Sequence, residues 1–439
     1  MRRRELLMAP LLAQQTAGAV PSARQLRWHE LELYAFLHFT INTFTDKEWG
    51  YGDEDPRLFA PAQFDADAIA SALKDGGMRA VILTCKHHDG FCLWPTRTTA
   101  HSVKQSGFRN GRGDVVRELS EAARRQGLRF GVYLSPWDRN AASYGTAAYV
   151  QLYREQLREL LTGYGPIFEV WHDGANGGDG YYGGAREKRT IDKRTYYEWE
   201  KTWAMVRSLQ PEAVIFSDVG PDIRWVGNEK GIANETCWAT YSPVGEDGGP
   251  PAPGYTRYRE AGTGHRHSPR WLPAECDVSI RPGWFFHEKE NSRVKTPQQL
   301  LDLYFQSVGR GASFLLNVPP DRRGLLHEND VASLKGFGKL LRDIFGRNLA
   351  GAVDAGGTIT LTAPCNVLRL REDIRHGQRV DSFAVDHWQG KAWVAVATGT
   401  SIGSCRLLRL ASPVSGRLRL RIEASSAQAK INEFAAFRE

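Results

Sequence analysis

No stretch of this 439-residue chain is long and apolar enough to span a bilayer; every apolar run is short and interrupted. No Gly-x-Gly-x-x-Gly and no P-loop follow the first strand-like run, which argues against nucleotide-binding α/β designs. Cysteine is sparse, with six thiols (Cys85, Cys92, Cys237, Cys276, Cys365, Cys405) whose spacing matches neither a zinc site nor a dense disulfide framework. Two states stay open for Cys365 and Cys405: a bridge in an oxidising compartment, or free buried thiols acting as small apolar groups. Basic residues exceed acidic ones by only seven, and they form no stripe beyond the N-terminus. With no zinc finger, helix-turn-helix signature or RNP motif, nucleic acid is not the expected partner. Internal repeats and low-complexity tracts are also lacking.

Apolar content of 41% and charged content of 24% are those of an ordinary globular protein, and the length is enough for more than one domain. Tryptophan is abundant at 13, and its flat face suits sugar rings as well as cores. The first residues, MRRRELLMAPLLAQQTAGAV, combine a basic start, a short apolar run and the small-residue site Ala17-Gly18-Ala19. Arg3-Arg4-Glu5-Leu6-Leu7 resembles a twin-arginine export signal. The expectation is a leader over 1–19, a mature chain beginning at Val20, and a periplasmic or secreted protein.

From about residue 28 to 350, apolar runs alternate with helical patterns. RAVILTC, LRFGVYLS, PIFEVW, AVIFSD and SFLLNV read as buried strands, and DVVRELSEAARRQG and TYYEWEKTWAMVRSLQ as amphipathic helices. Continuous apolar strands separated by helices imply a parallel sheet covered on both faces. At this length the pattern predicts an α/β fold, a (β/α)8-like barrel, with an open doubly wound sheet as the alternative. Residues 219–293 read as one long loop. From 351 to 439 the texture changes to short alternating strands with turn signals, the pattern of a small β-sandwich.

In a barrel, functional groups stand where strands end. The strand ends carry His38; Lys86-His87-His88-Asp89; Tyr133 with Trp137-Asp138; Trp171-His172-Asp173; and Asp218, followed by Arg224, Trp225 and Glu229. Polar and aromatic groups at five ends describe one Trp-lined pocket. Two chemistries fit it. Metal-assisted hydrolysis would use the histidines and an Asp, but adjacent residues of a regular strand face opposite sides, so His87 and His88 would chelate together only across a bend. Glycoside hydrolysis needs two carboxyl groups among hydroxyl-binding side chains.

The stretches HFTINTFTDKEWG, KHHDGFCLWPT, GVYLSPWD, EVWHDGANGG, DIRWVGNE and VSIRPGWFFH resemble the α-L-fucosidases of glycoside hydrolase family 29. GANGG and IRPGWFFH most resemble the branch acting on α-1,3/1,4-fucosyl linkages of branched glycans. The resemblance implies a retaining exo-fucosidase that needs no cofactor or metal and takes a fucosylated oligosaccharide or glycoconjugate glycan. It implies Asp173 as nucleophile and Glu229 as acid/base. His38, His87, His88 and Arg224 would grip fucose hydroxyls, Trp49, Tyr133 and Trp171 would line the sugar, and Glu275 and Trp284 would face the leaving-group side. Phe39, Phe285 or Phe286 would face the fucose methyl. One departure stands out: His172 precedes the nucleophile where the family more often has Phe. A fucose-binding protein without catalysis is the alternative from another class.

Overall fold

The computed structural model describes residues 18–354 and 356–439. Eight parallel strands form its centre: β1 (Leu33–Leu37), β2 (Ala80–Lys86), β3 (Arg129–Leu134), β4 (Glu169–Trp171), β5 (Val214–Phe216), β6 (Arg224–Trp225), β7 (Ala274–Ser279) and β8 (Ser313–Asn317). Their order is β5-β4-β3-β2-β1-β8-β7-β6. A parallel bridge from Phe216 to Ile223 joins the two ends of that order. Each strand therefore lies beside its neighbour in sequence, and the sheet is a closed barrel rather than an open one. β1 and β2 are buried at every position, which is why their sequences are apolar without alternation.

Helices Ala66–Asp75 and Val115–Arg125 pack outside, each begun by an aspartate (Asp65, Asp114) whose carboxylate accepts a backbone N–H of the first turn. Helices Ala147–Gly163, Trp199–Leu209, Pro297–Gln306 and Glu328–Phe345 follow β3, β4, β7 and β8. No helix follows β5 or β6. β5 runs into β6 through seven residues, and β6 reaches β7 only through the excursion 226–273. The expected single loop over 219–293 thus contains two barrel strands. β6 has two residues, and β7, AECDVS, points Glu275 and Asp277 into the barrel interior, so neither shows the apolar run of a buried strand.

The C-terminal part is all antiparallel. β9 (Thr358–Thr360), β10 (Cys365–Glu372), β11 (Val380–Trp388), β12 (Trp393–Gly399), β13 (Arg406–Val414), β14 (Arg417–Ser425) and β15 (Ile431–Phe437) form a four-stranded sheet, β9-β14-β11-β12, and a three-stranded one, β13-β10-β15. Leu368, Leu370, Phe383, Val385, Leu418 and Phe434 fill the space between them. The sandwich is docked to the barrel by Phe437 against Phe345 (ring centroids 5.2 Å apart) and by Leu407 N–H donating to Gly309 O at 3.0 Å. All six cysteines are free and buried. Cys365 belongs to the sandwich core and Cys405 to the barrel core, so the Cys365–Cys405 bridge does not form. The expected leader falls, up to residue 17, outside the described residues.

Candidate active site

The C-terminal ends of the strands surround a cavity of about 460 Å³. His38 follows β1. Its Nδ1 lies 2.9 Å from Asn317 Oδ1, and the Asn317 amide is oriented by donating to Ser279 Oγ at 2.9 Å and to Trp284 O at 2.8 Å. With the amide so fixed, Oδ1 can only accept, so the His38 proton sits on Nδ1 and Nε2 remains a bare acceptor. His88 reaches the same state by another route. Ser135 Oγ donates to Trp137 O at 2.7 Å and so accepts from His88 Nδ1, also at 2.7 Å. Burial keeps the rings neutral: it pushes His38 down to about 3, His88 to about 4 and His87 well below its usual value.

His87 and His88 both line the cavity with ring centroids 4.0 Å apart. Strand alternation does not separate them, because β2 is irregular between Thr84 and Lys86 and ends at Lys86, leaving both rings on the turn beyond it. Buried Lys86 anchors that turn through Asp138 (3.1 Å) and Gln156 (2.8 Å). Among the described residues no three His, Cys, Asp or Glu side chains converge as a metal-holding group.

Asp173 stands two residues past the end of β4. Tyr133 OH donates to its Oδ2 at 2.9 Å, Ala175 N–H donates to its Oδ1 at 2.7 Å, and His88 Nε2 lies 3.7 Å from Oδ2. One oxygen is thus fixed by a side chain and the other by backbone, which sets the plane of the carboxylate. Gly174, just after it, serves close approach, since a Cβ there would lie 3.0 Å from Asp218 Oδ2 and 3.3 Å from Gly254 N. Gly254 has φ +76°, and a Cβ there would lie 2.1 Å from Gly174 O and 2.2 Å from Asn176 Nδ2. His172 points away from the cavity, with its Nδ1 2.9 Å from Tyr153 OH and its ring against Trp199. It touches the nucleophile candidate only through the chain.

Glu229 lines the cavity as an exposed residue, and Trp284 Nε1 donates to its Oε2 at 3.3 Å. Partial desolvation of the carboxyl at the cavity wall raises its pKa above the ordinary glutamate value. The Trp284 hydrogen bond opposes that, and the charges of Asp173 and Glu48 add to it. Trp49 is 55% exposed at the mouth and stands edge-on to His88 and Trp137. Its loop is clamped by Arg139, which donates to Gly50 O at 2.6 Å.

Of the eleven side chains picked from sequence, nine line this cavity: His38, Trp49, His87, His88, Tyr133, Trp171, Asp173, Glu229 and Trp284. Two do not. Arg224 is fully buried behind β6, where its guanidinium donates to the carbonyls of Ala261 (2.8 Å), Trp238 (3.0 Å) and Leu272. Strand alternation gives the cavity face to Trp225 and leaves Arg224 to brace the long loop. Glu275 lies beneath the floor, accepting from Trp171 Nε1 at 2.8 Å and from Tyr34 OH, next to Glu169. The inward turn of β7 places it there. Phe39, Phe285 and Phe286 are likewise packed off the cavity, and Phe36 and Phe216 line it instead.

Sequence reading missed Glu48, which accepts from Trp284 N–H (2.9 Å), Phe285 N–H (3.1 Å) and His287 Nε2 (2.7 Å). It also missed Asp277 and Tyr258. It named Asp218 as a strand end without giving it a role. Glu48 precedes Trp49, and that adjacency was the available signal. Tyr258 comes from deep in an irregular segment and carried none.

The family model described as alpha-L-fucosidase matches residues 17–344. Alpha-L-fucosidase 1 of Arabidopsis thaliana is 42% identical, covering 91% of this chain and 83% of the plant protein. A solved glycoside hydrolase 29 family member from an unknown rumen bacterium superposes with TM-score 0.90 at 43% identity, over 96% of this chain and 78% of that one. A Ruminococcus gnavus GH29 fucosidase, solved in complex with fucose, superposes with TM-score 0.82 at 29% identity, over 96% and 95% of the two chains.

Proposed function

The chain belongs to the α-L-fucosidase family of glycoside hydrolases, and from that premise we propose that it is a retaining exo-enzyme removing α-1,3/1,4-linked L-fucose from branched glycans. The observation that carries the mechanism is a carboxylate, Asp173, with both oxygens already hydrogen-bonded, sharing one cavity with a second carboxyl, Glu229, of raised pKa. Asp173 attacks the anomeric carbon as the glycosidic C–O bond breaks, and Glu229 delivers its proton to the departing oxygen. A water then attacks the anomeric carbon of the fucosyl-enzyme, gives its proton to Glu229 and frees Asp173. The bare Nε2 acceptors of neutral His38 and His88 suit hydroxyl donors of the sugar. Phe36, Phe216 and Trp171, stacked on Phe216 at 4.2 Å, supply the apolar floor that a 6-deoxy sugar needs for its methyl group. Retention requires the two carboxyl groups about 5–5.5 Å apart in the sugar complex.

The test is free fucose released from Lewis-type trisaccharides, a 2'-fucosyl glycan and an aryl fucoside. Release confined to the Lewis-type substrates is the expected result. Release from the 2'-fucosyl glycan alone overturns the linkage, and glycan binding without release supports the non-catalytic reading. The export expectation becomes part of the same proposal: a periplasmic or secreted enzyme meets such glycans outside the cytoplasm.

A further inference from the structure

Asp173 and its neighbours account for the inner half of the cavity, where β1 to β4 present the histidines, Tyr133 and Asp173. The outer half is built differently. Trp225, on β6, and Tyr258, from the long excursion, face the cavity together with ring centroids 5.0 Å apart at 83°. Tyr258 is 38% exposed, so its ring is not filling a core. Each ring is fixed from behind by a carboxyl group on a different strand end. Trp225 Nε1 donates to Asp277 Oδ1 at 2.6 Å, and Tyr258 OH donates to Asp218 Oδ2 at 2.7 Å. Asp218 also accepts Gly254 N–H at 2.9 Å, which ties down the loop bearing Tyr258. Both carboxyl groups are almost fully buried. Burying a carboxyl is unfavourable unless it is hydrogen-bonded, so two such groups set behind two partly exposed rings hold those rings in fixed orientations.

The position of this corner decides what it meets. Glu229 follows Trp225 by four residues on the same segment, and an acid that protonates the departing oxygen stands on the side of the sugar that carries that oxygen. We propose that Trp225 and Tyr258 form the platform for the sugar bonded to fucose, and that Asp277 and Asp218 are the positioning residues that hold it. The ligand is a neutral hexose or N-acetylhexosamine ring of the glycan core, docked by its apolar face, with half-buried Lys193 and exposed Glu246 at the rim for its hydroxyls. This rests on the reading of the protein as an enzyme for branched glycans.

The test compares kcat/KM for α-L-fucosyl fluoride, which has no second sugar, with kcat/KM for the 2-, 3- and 4-linked fucosyl disaccharides that the wild type cleaves. In Trp225→Ala and Tyr258→Ala, the loss on the disaccharides exceeds the loss on the fluoride by tenfold or more. Tyr258→Phe, which keeps the ring but loses its tie to Asp218, falls between Tyr258→Ala and wild type in that selectivity. The defucosylated core sugar, used as an inhibitor of fluoride hydrolysis, binds the alanine variants at least fivefold more weakly than wild type, a readout that does not depend on glycan cleavage. Equal losses on both substrate classes or unchanged inhibition overturns the platform, and a Phe variant as selective as wild type overturns the positioning role of Asp218. A wild type cleaving only the 2-linked disaccharide refutes the linkage reading, and the variant ratios on that substrate still decide the platform.

Discussion

Replacing Glu229 by Ala separates the two chemical steps. Six carboxyl groups line the cavity. Glu48, Asp218 and Asp277 are committed to hydrogen bonds that hold other residues in place, and Asp173, the proposed nucleophile, is held by Tyr133. Glu229 has a single weak donor, Trp284 Nε1 at 3.3 Å, and its raised pKa keeps it protonated above the ordinary glutamate range of about 4.3. General acid catalysis of this kind contributes about 10² to 10⁴ in rate, or roughly 3 to 5 kcal/mol of barrier. The variant therefore loses that factor in kcat/KM on a fucosylated glycan. On α-L-fucosyl fluoride the leaving group needs little proton help, so the first step survives and the fucosyl-enzyme accumulates as a burst approaching one equivalent of enzyme. Azide then restores turnover and gives fucosyl azide of retained configuration. Stopped-flow fluoride release and product NMR read both. A Glu229→Ala enzyme within tenfold of wild type on a glycan refutes the assignment, and exposed Glu246 at the rim becomes the next candidate. Glu235 does not, because it is ion-paired with Arg310 and Arg406 where the sandwich docks. Neither does Glu275, sealed beneath the floor.

Asp173→Gly loses nearly all turnover, and azide rescues it with inverted configuration, since one displacement replaces two; retained product would contradict the role. Trp284→Phe removes a donor that favours ionised Glu229, so the Glu229 pKa rises and the alkaline limb of kcat/KM moves to higher pH; an unmoved or lowered limb counts against the contact. Gly254→Ala drives a Cβ into Gly174 O, and it lowers Tm and activity together, read by thermal unfolding and fucose release. N-terminal sequencing of the protein from its native host finds Val20 first, and an intact Met1 or Arg2 ends the export proposal.

The barrel and the inner half of the site were legible because they rest on local signals: apolar strands, aspartate caps, and polar residues clustered at strand ends. What was lost lies where β-structure is short or its interior is polar. β6 has two residues, and β7 buries two acids, so neither carries a period. Arg224 and Glu275 were misplaced for the same reason. Without knowing that residues 224–225 and 274–279 are strands, alternation cannot be applied to decide which side chain meets the cavity. Trp225 was within reach of that rule, and Tyr258 was not, since an irregular excursion has no register.

The carboxyl pair under the floor and the neutral histidines above it bear together on how the fold responds to acid. Glu169 and Glu275 are both pushed up by burial, and they hold a proton that the unfolded chain would release. Their contribution to stability is complete below the unfolded glutamate pKa and fades as pH rises toward their folded values. His38, His88 and His172 are pushed down to between about 3 and 4, so each gives up a proton on folding, and their contribution is complete above about 6.5 and fades as pH falls. Between about pH 4.5 and 6.5 the two groups therefore exchange protons with solvent in opposite directions. As pH falls through that window the histidine contribution fades while that of the carboxyl pair grows to completion, so the centre of the barrel does not lose both together.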